Sequence, residues 1–114
     1  MSMKKYRVTR AYQSPYEQGV MFRIGQRLRF ERRESEWPGW IWCTSTSGES
    51  AWTPENWVRI NGDRCVVTRE YSSQELSVEL GEEIVAMLEE SGWVLATNQA
   101  GKGGWVALSH LQAL

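Results

Sequence analysis

The sequence predicts an all-β protein: two small β-barrels in tandem, packed against each other. Three observations carry that expectation. Four blocks of sequence recur along the 114 residues, apolar and polar residues alternate over strand-length runs, and no stretch keeps a convincing helical period.

The repeat organises the rest. VTRAY at 8–12 returns as VTREY at 67–71, and FRIGQRL at 22–28 is answered by VELGEEI at 78–84 with its glycine kept. GWIWC at 39–43 answers to GWVLA at 92–96, and SGESAWTPENWV at 47–58 to AGKGGWVALSHL at 100–111. The offset is 59 residues at the first block, 56 at the glycine and 53 at the last two, so the second copy has lost residues in only two places. Loss confined in this way is what loop shortening looks like when strands are kept. The expected division is 1–60 and 61–114, joined near Asn61-Gly62-Asp63.

Each element follows in order. RLRFERR at 27–33 alternates, with Leu28 and Phe30 on one face and Arg27, Arg29 and Glu31 on the other. GWIWCTSTSGESAWT is two aromatic or β-branched runs around Ser-Gly-Glu, the signature of a hairpin. GWVLATNQAGKGGWVAL repeats the pattern around Gly101-Lys102-Gly103. The stretch 72–90 is rich in helix formers, but Gly81 interrupts it and its counterpart in the first copy alternates, so it is expected as strand.

Composition excludes several function classes. Net charge is −1, but 1–60 carries ten Lys/Arg against six Glu (net +4) and 61–114 carries three against eight acids (net −5). The overall balance does not fit a globally basic nucleic-acid binder. With one histidine, one aspartate and two cysteines there is little material for hydrolytic chemistry or a four-ligand metal site. No enzyme, catalytic residue, metal or cofactor is expected. No apolar run approaches the roughly 20 residues of a membrane span, and MSMKKYRVTR has no apolar signal core. The expectation is a soluble, cytoplasmic monomer or weak homo-oligomer with no membrane partner.

The blocks also carry a resemblance. ELSVELGEEI, SGWVLA and AGKGGWVALSHL occur in the order of the diverging turn, the tryptophan strand and the distal hairpin of a Src homology 3 domain. ESAWTPENWV in the first copy keeps the Pro and Asn of that family's closing motif. The chain thus resembles a tandem, variant SH3-like protein of prokaryotic type. The resemblance implies a non-catalytic module whose aromatic groove binds extended, Pro-containing peptides. It implies a groove in the first copy made of Tyr12, Trp40, Pro54, Asn56 and Trp57, with Tyr16 and Glu17 in the first loop and Glu17 selecting a basic ligand residue. Arg10 departs from the pattern, standing where the motif's first Tyr would be. The second copy offers a weaker groove of Tyr71, Glu75, Trp93 and His110, with Glu89 and Glu90 expected in the second loop and Arg69, Ala107 and His110 as departures.

Competing readings attach to the same residues. The stripe Arg23, Arg27, Arg29, Arg32 and Arg33 would suit a nucleic-acid-binding small barrel. Relief of that stripe by Glu31, Glu34 and Glu36 makes nucleic acid the less expected partner. Tyr12, Tyr16, Trp40 and Trp57 could form an aromatic cage for a methylated cation. A structural subunit with degenerate grooves is the third alternative. Trp42 and Trp52 are expected as sheet-face or core packing, and Trp37 as a rim contact or a plug between modules. Cys43, aligned with the small Ala96, is expected as an inert core thiol, and nothing favours its pairing with Cys65. His110 is expected at a groove edge.

Overall fold

The computed structural model describes residues 3–15, 18–34 and 37–114. Among them the protein is all-β, with no α-helix. Its strands are β1 (Lys4–Val8), β2 (Met21–Phe22), β3 (Arg27–Glu31), β4 (Trp40–Thr44), β5 (Ser50–Pro54), β6 (Val58–Asn61), β7 (Arg64–Val67), β8 (Tyr71–Ser72), β9 (Glu83–Glu90), β10 (Trp93–Thr97), β11 (Gly103–Ala107) and β12 (Leu111–Ala113). Short 3-10 turns at Glu55–Trp57 and Leu108–His110 precede β6 and β12. The helix-forming composition of 83–90 yields to alternation: Ile84 and Ala86 point inward from β9 while Glu83 and Val85 stay half-exposed.

The strands form three open sheets, β11-β10-β9-β1-β12, β5-β4-β3-β7-β6 and the short pair β2-β8. Both hairpins foreseen around glycines are present. Gly48 and Gly101 take positive φ in the turns joining β4 to β5 and β10 to β11. In the second turn the Asn98 side-chain oxygen accepts the amides of Ala100 and Lys102 at 3.0 and 2.9 Å.

The connectivity is where the chain departs from two consecutive modules. β1, from the first repeat, pairs with β9 of the second, Tyr6 facing Ile84, and with β12, Val8 facing Leu111. β7, from the second repeat, pairs with β3 of the first, Leu28 facing Cys65. The repeats have exchanged their first strands. Gly81 donates its amide to the Val8 carbonyl and Gly25 to the Val67 carbonyl, both at 2.8 Å, so each repeat's turn glycine holds the other repeat's strand.

The chain accordingly divides into unit 1, Met1–Gln18 with Gln74–Leu114, and unit 2, Gly19–Ser73. This differs from 1–60 and 61–114, and the cause is local. Asn61 pairs with Arg64, which leaves only Gly62 and Asp63 in the loop. Gly62 has φ 68°, at the loop position that a type II′ hairpin turn reserves for glycine. The segment expected to link two modules is a tight hairpin inside unit 2. The charge contrast between halves falls with it: unit 2 carries eight Lys/Arg against seven acids (net +1) and unit 1 five against seven (net −2).

Unit 1 has a core of Tyr6, Val8, Leu76, Val78, Ile84, Ala86, Val94, Ala96 and Val106. Unit 2 buries Phe22, Leu28, Ile41, Cys43, Ala51, Thr53, Cys65 and Val67. Each core takes buried side chains from both repeats, because each includes an exchanged strand. The consequence is testable with fragments. Residues 19–73 expressed alone should give a dispersed amide spectrum by NMR. Residues 74–114 alone lack β1 and also β7, the strand that could replace it, and should not. A dispersed monomeric spectrum from 74–114 would contradict the dependence of unit 1 on β1.

Candidate functional site

The exchange regroups the aromatic residues. Tyr12 follows β1 into unit 1, whereas Trp40, Pro54, Asn56 and Trp57 belong to unit 2. The groove expected from Tyr12, Trp40, Pro54, Asn56 and Trp57 is therefore split between units. Tyr71, which follows β7, joins the unit 2 set in place of Tyr12. The cage expected from Tyr12, Tyr16, Trp40 and Trp57 is split in the same way. Tyr16 and Glu17 lie outside the described residues.

The unit 2 cluster is closed on itself. Tyr71 meets Trp57 edge-on, with ring centroids 5.7 Å apart and planes at 89°, and its hydroxyl donates to the Trp52 carbonyl. The Arg69 guanidinium lies 4.1 Å above the centre of the Trp57 ring. Trp57 and Tyr71 retain only 4% and 2% of their exposure, and Pro54 is fully buried. Trp57, expected at a binding surface, is packed instead. Arg69 takes the ring face a ligand would need. Trp40 stays half-buried opposite Pro54, and Asn56 is exposed on its 3-10 turn.

The unit 1 cluster is more open. Tyr12, Glu75, Trp93 and His110 are all half-buried. Tyr12 is fixed by a reciprocal pair of backbone bonds to Val78, both 2.9 Å. Its ring meets His110 edge-on, centroids 5.6 Å apart at 78°. His110 Nδ1 lies 3.1 Å from the Arg10 carbonyl, an acceptor only, so Nδ1 carries the proton. Trp93 sits opposite Ala107 at the other end of the 3-10 turn. The Tyr12 hydroxyl and the Ser14 hydroxyl both donate to the same Glu75 oxygen, Oε1, at 3.0 and 2.7 Å. Among the described residues Oε2 of Glu75 accepts no hydrogen bond. Ser14, which nothing in its local sequence singles out, is thus a positioning residue for Glu75.

Glu75 is carried on an arm laid against β11. Leu76 donates to the Trp105 carbonyl at 3.1 Å and Trp105 to the Gln74 carbonyl at 3.0 Å. Gly104 makes that approach possible. A Cβ there would lie 2.8 Å from the Leu76 nitrogen and 2.9 Å from the Glu75 carbonyl carbon.

The arginine stripe does not act as one feature. Arg32 makes a bidentate bridge to Glu55 at 2.8 and 3.0 Å, which holds the Glu55 carboxyl below its usual range. Arg33 pairs with Glu31 at 3.0 Å and lies 4.7 Å over the Trp42 ring. Arg27 and Arg29 form no ion pair among the described residues and instead share a sheet face with Arg59 and Arg64. Those two were missed in the sequence because Asn61-Gly62-Asp63 was read as a joint. Read as a hairpin turn, it would have placed Arg59 and Arg64 on one face of a strand pair, which the pairing of β7 with β3 then sets beside Arg27 and Arg29. Trp42 and Trp52 pair across β4 and β5 on this outer face, centroids 5.4 Å apart at 72°.

Cys43 and Cys65 are free and fully buried. Their mutual hydrogen bond, with burial, pushes the Cys43 thiol far up, while the same bond draws Cys65 down. No group of His, Cys, Asp and Glu able to hold a metal occurs among the described residues, nor any helix long and apolar enough to cross a membrane.

Two outcomes follow. A thiol reagent should modify neither cysteine in the native protein and both in denaturant, because only an accessible thiolate reacts. Rapid labelling of the native protein would contradict that burial. Gly104→Ala should lower unfolding free energy by about 1–3 kcal/mol in urea titration, as overpacking does. Gly103→Ala, whose Cβ would meet only Ala96 O at 3.5 Å, should change it by less than about 0.5 kcal/mol. Compared with protein families, curated proteins and solved structures, the chain matches none.

Proposed function

We propose that this protein is a non-catalytic interaction module of SH3-like build, and that its peptide groove lies in unit 1, between Tyr12, His110, Trp93 and Glu75. The SH3-like reading is supported by the repeated plan. In each unit a hairpin pair, a third strand, an exchanged strand and a closing strand follow in the same order, with a 3-10 turn before the last.

The observation that carries the function is the held carboxylate. Two hydroxyls fix Oε1 of Glu75, and Oε2, which accepts no hydrogen bond among the described residues, would accept one from a ligand. A Lys or Arg of an extended peptide would supply that donor, in a charge-assisted hydrogen bond. The neighbouring edge-to-face Tyr12 and His110 rings give a step against which a proline ring packs with little loss of entropy, since a polyproline II segment is already extended. Unit 2 lacks this opening because Arg69 covers Trp57.

Titration of the full chain with Pro-rich peptides containing an arginine, followed by 15N NMR, tests the reading. Shifts should appear at Tyr12, Trp93 and His110 and not at Trp57. Glu75→Gln should weaken binding at least about tenfold, the scale of one hydrogen bond to a charged group. Absence of shifts in unit 1 with every peptide would overturn it.

A further inference from the structure

The geometry points to a second binding surface, independent of that groove: the outer face of the β5-β4-β3-β7-β6 sheet, suited to a single-stranded nucleic acid. Alternation sets Arg27, Arg29 and Glu31 of β3, Arg64 and Val66 of β7, and Arg59 and Asn61 of β6 on this face. Leu28, Cys65 and Val67 between them are buried. Register arranges these residues in rows. Arg29 faces Arg64 on one side and Thr44 on the other. One step along the strands, Val66 stands between Arg27 and Arg59. One step the other way, Trp42 stands between Glu31 and Trp52. Neighbouring strands are about 5 Å apart and successive rows about 7 Å.

Three features of this face serve no purpose in the fold. Arg29 and Arg64 stand directly opposite each other, and like charges so placed destabilise a strand pair. Arg27, Arg29 and Arg59 form no ion pair among the described residues. An open concavity of about 470 Å³ is lined by Arg29, Phe30, Glu31, Thr44, Asp63 and Arg64. With Arg33, the face holds five arginines against Glu31 and Asp63, although unit 2 as a whole is nearly neutral.

Such a charge excess selects an anion, and the tryptophans decide which kind. An acidic protein segment would use the arginines and leave Trp42 and Trp52 idle. A duplex keeps its bases stacked inside and would offer only phosphates. A single strand offers both partners: phosphates to Arg27, Arg29, Arg59 and Arg64, and bases to stack beside the half-buried Trp52, since Arg33 already lies over the Trp42 ring.

Fluorescence anisotropy of a labelled oligothymidylate with the full chain, across a range of salt, tests this. Affinity should fall with salt at a logarithmic slope of about −3, as neutralising four phosphates of a single strand gives. The double variant R29Q/R64Q removes a repulsive pair, so it should melt no lower than the parent, bind at least about tenfold more weakly, and roughly halve the slope. Lys102→Gln and Glu75→Gln, both in unit 1, should leave oligonucleotide binding unchanged, which separates this surface from the peptide groove. Oligothymidylate should also quench the native tryptophan emission, a stacking readout that needs no variant. No binding at low salt, a slope indifferent to R29Q/R64Q, or absence of quenching would overturn the inference. Equal displacement of the oligonucleotide by polyglutamate would assign the face to an acidic protein segment instead and overturn it too.

Discussion

A strand that follows another through a two-residue loop can only lie alongside it, antiparallel. Gly62 and Asp63 impose that on β6 and β7. Once β7 is held against β6, it completes the sheet of the first repeat, and its position next to β3 is filled from the wrong copy. The second repeat is left without a first strand, and β1 takes the vacancy against β9. Each exchanged strand carries inward-facing side chains, Tyr6 and Val8 one way and Cys65 and Val67 the other. Full burial of one such apolar side chain contributes about 1.5–3 kcal/mol. A β-domain of roughly 55 residues is marginal by itself, so neither unit can dispense with the strand it receives.

One repeated feature has two outcomes. Arg10 and Arg69 occupy equivalent places in VTRAY and VTREY. Arg69 arrives beside Trp57, a broad indole, and stacks on it. Arg10 arrives beside His110 and contributes its carbonyl to the ring nitrogen. The ring that each strand meets belongs to the other repeat. Closed and open clusters therefore follow from which ring each strand meets, a Trp or a His, not from anything in the two pentapeptides. The exchange evens the net charge of the units and leaves the arginines concentrated on one sheet face.

Much of this was legible in the sequence, and the rest was not for a definable reason. Alternation in 27–33, the glycine-centred hairpins and the broken periodicity at Gly81 identify strands, since side-chain direction in a strand depends only on neighbouring residues. Cys43 sits in the core as its alignment with Ala96 implies. Partner choice is a different kind of information. VTRAY and VTREY share four of five residues, so periodicity and apolar pattern fit either strand to either sheet equally well. Only loop length breaks the tie, and it was contained in Asn61-Gly62-Asp63. The grouping of Tyr12 with Trp57 and the omission of Arg59 and Arg64 both descend from that one turn.

The insertion of unit 2 within unit 1 raises a question of cost, and the short β2-β8 pair answers it. An unstructured loop of 55 residues between Gln18 and Gln74 would oppose closure of unit 1 by on the order of 3–4 kcal/mol, before any fixed term. Unit 2 removes most of that penalty by bringing its own ends together. Met21 faces Ser72, Phe22 faces Tyr71, and Val20 and Ser73 exchange hydrogen bonds of 2.7 and 2.9 Å. Unit 1 then has only to close Tyr12 onto Val78 and the Ser14 amide onto the Ser77 hydroxyl. Unit 2 is continuous in sequence and unit 1 is not, so folding of the first prepares closure of the second. The residues that complete that closure, Tyr12 and Ser14, are the two that hold Glu75. The geometry of the proposed groove thus depends on the closure of an insert that contributes none of its side chains.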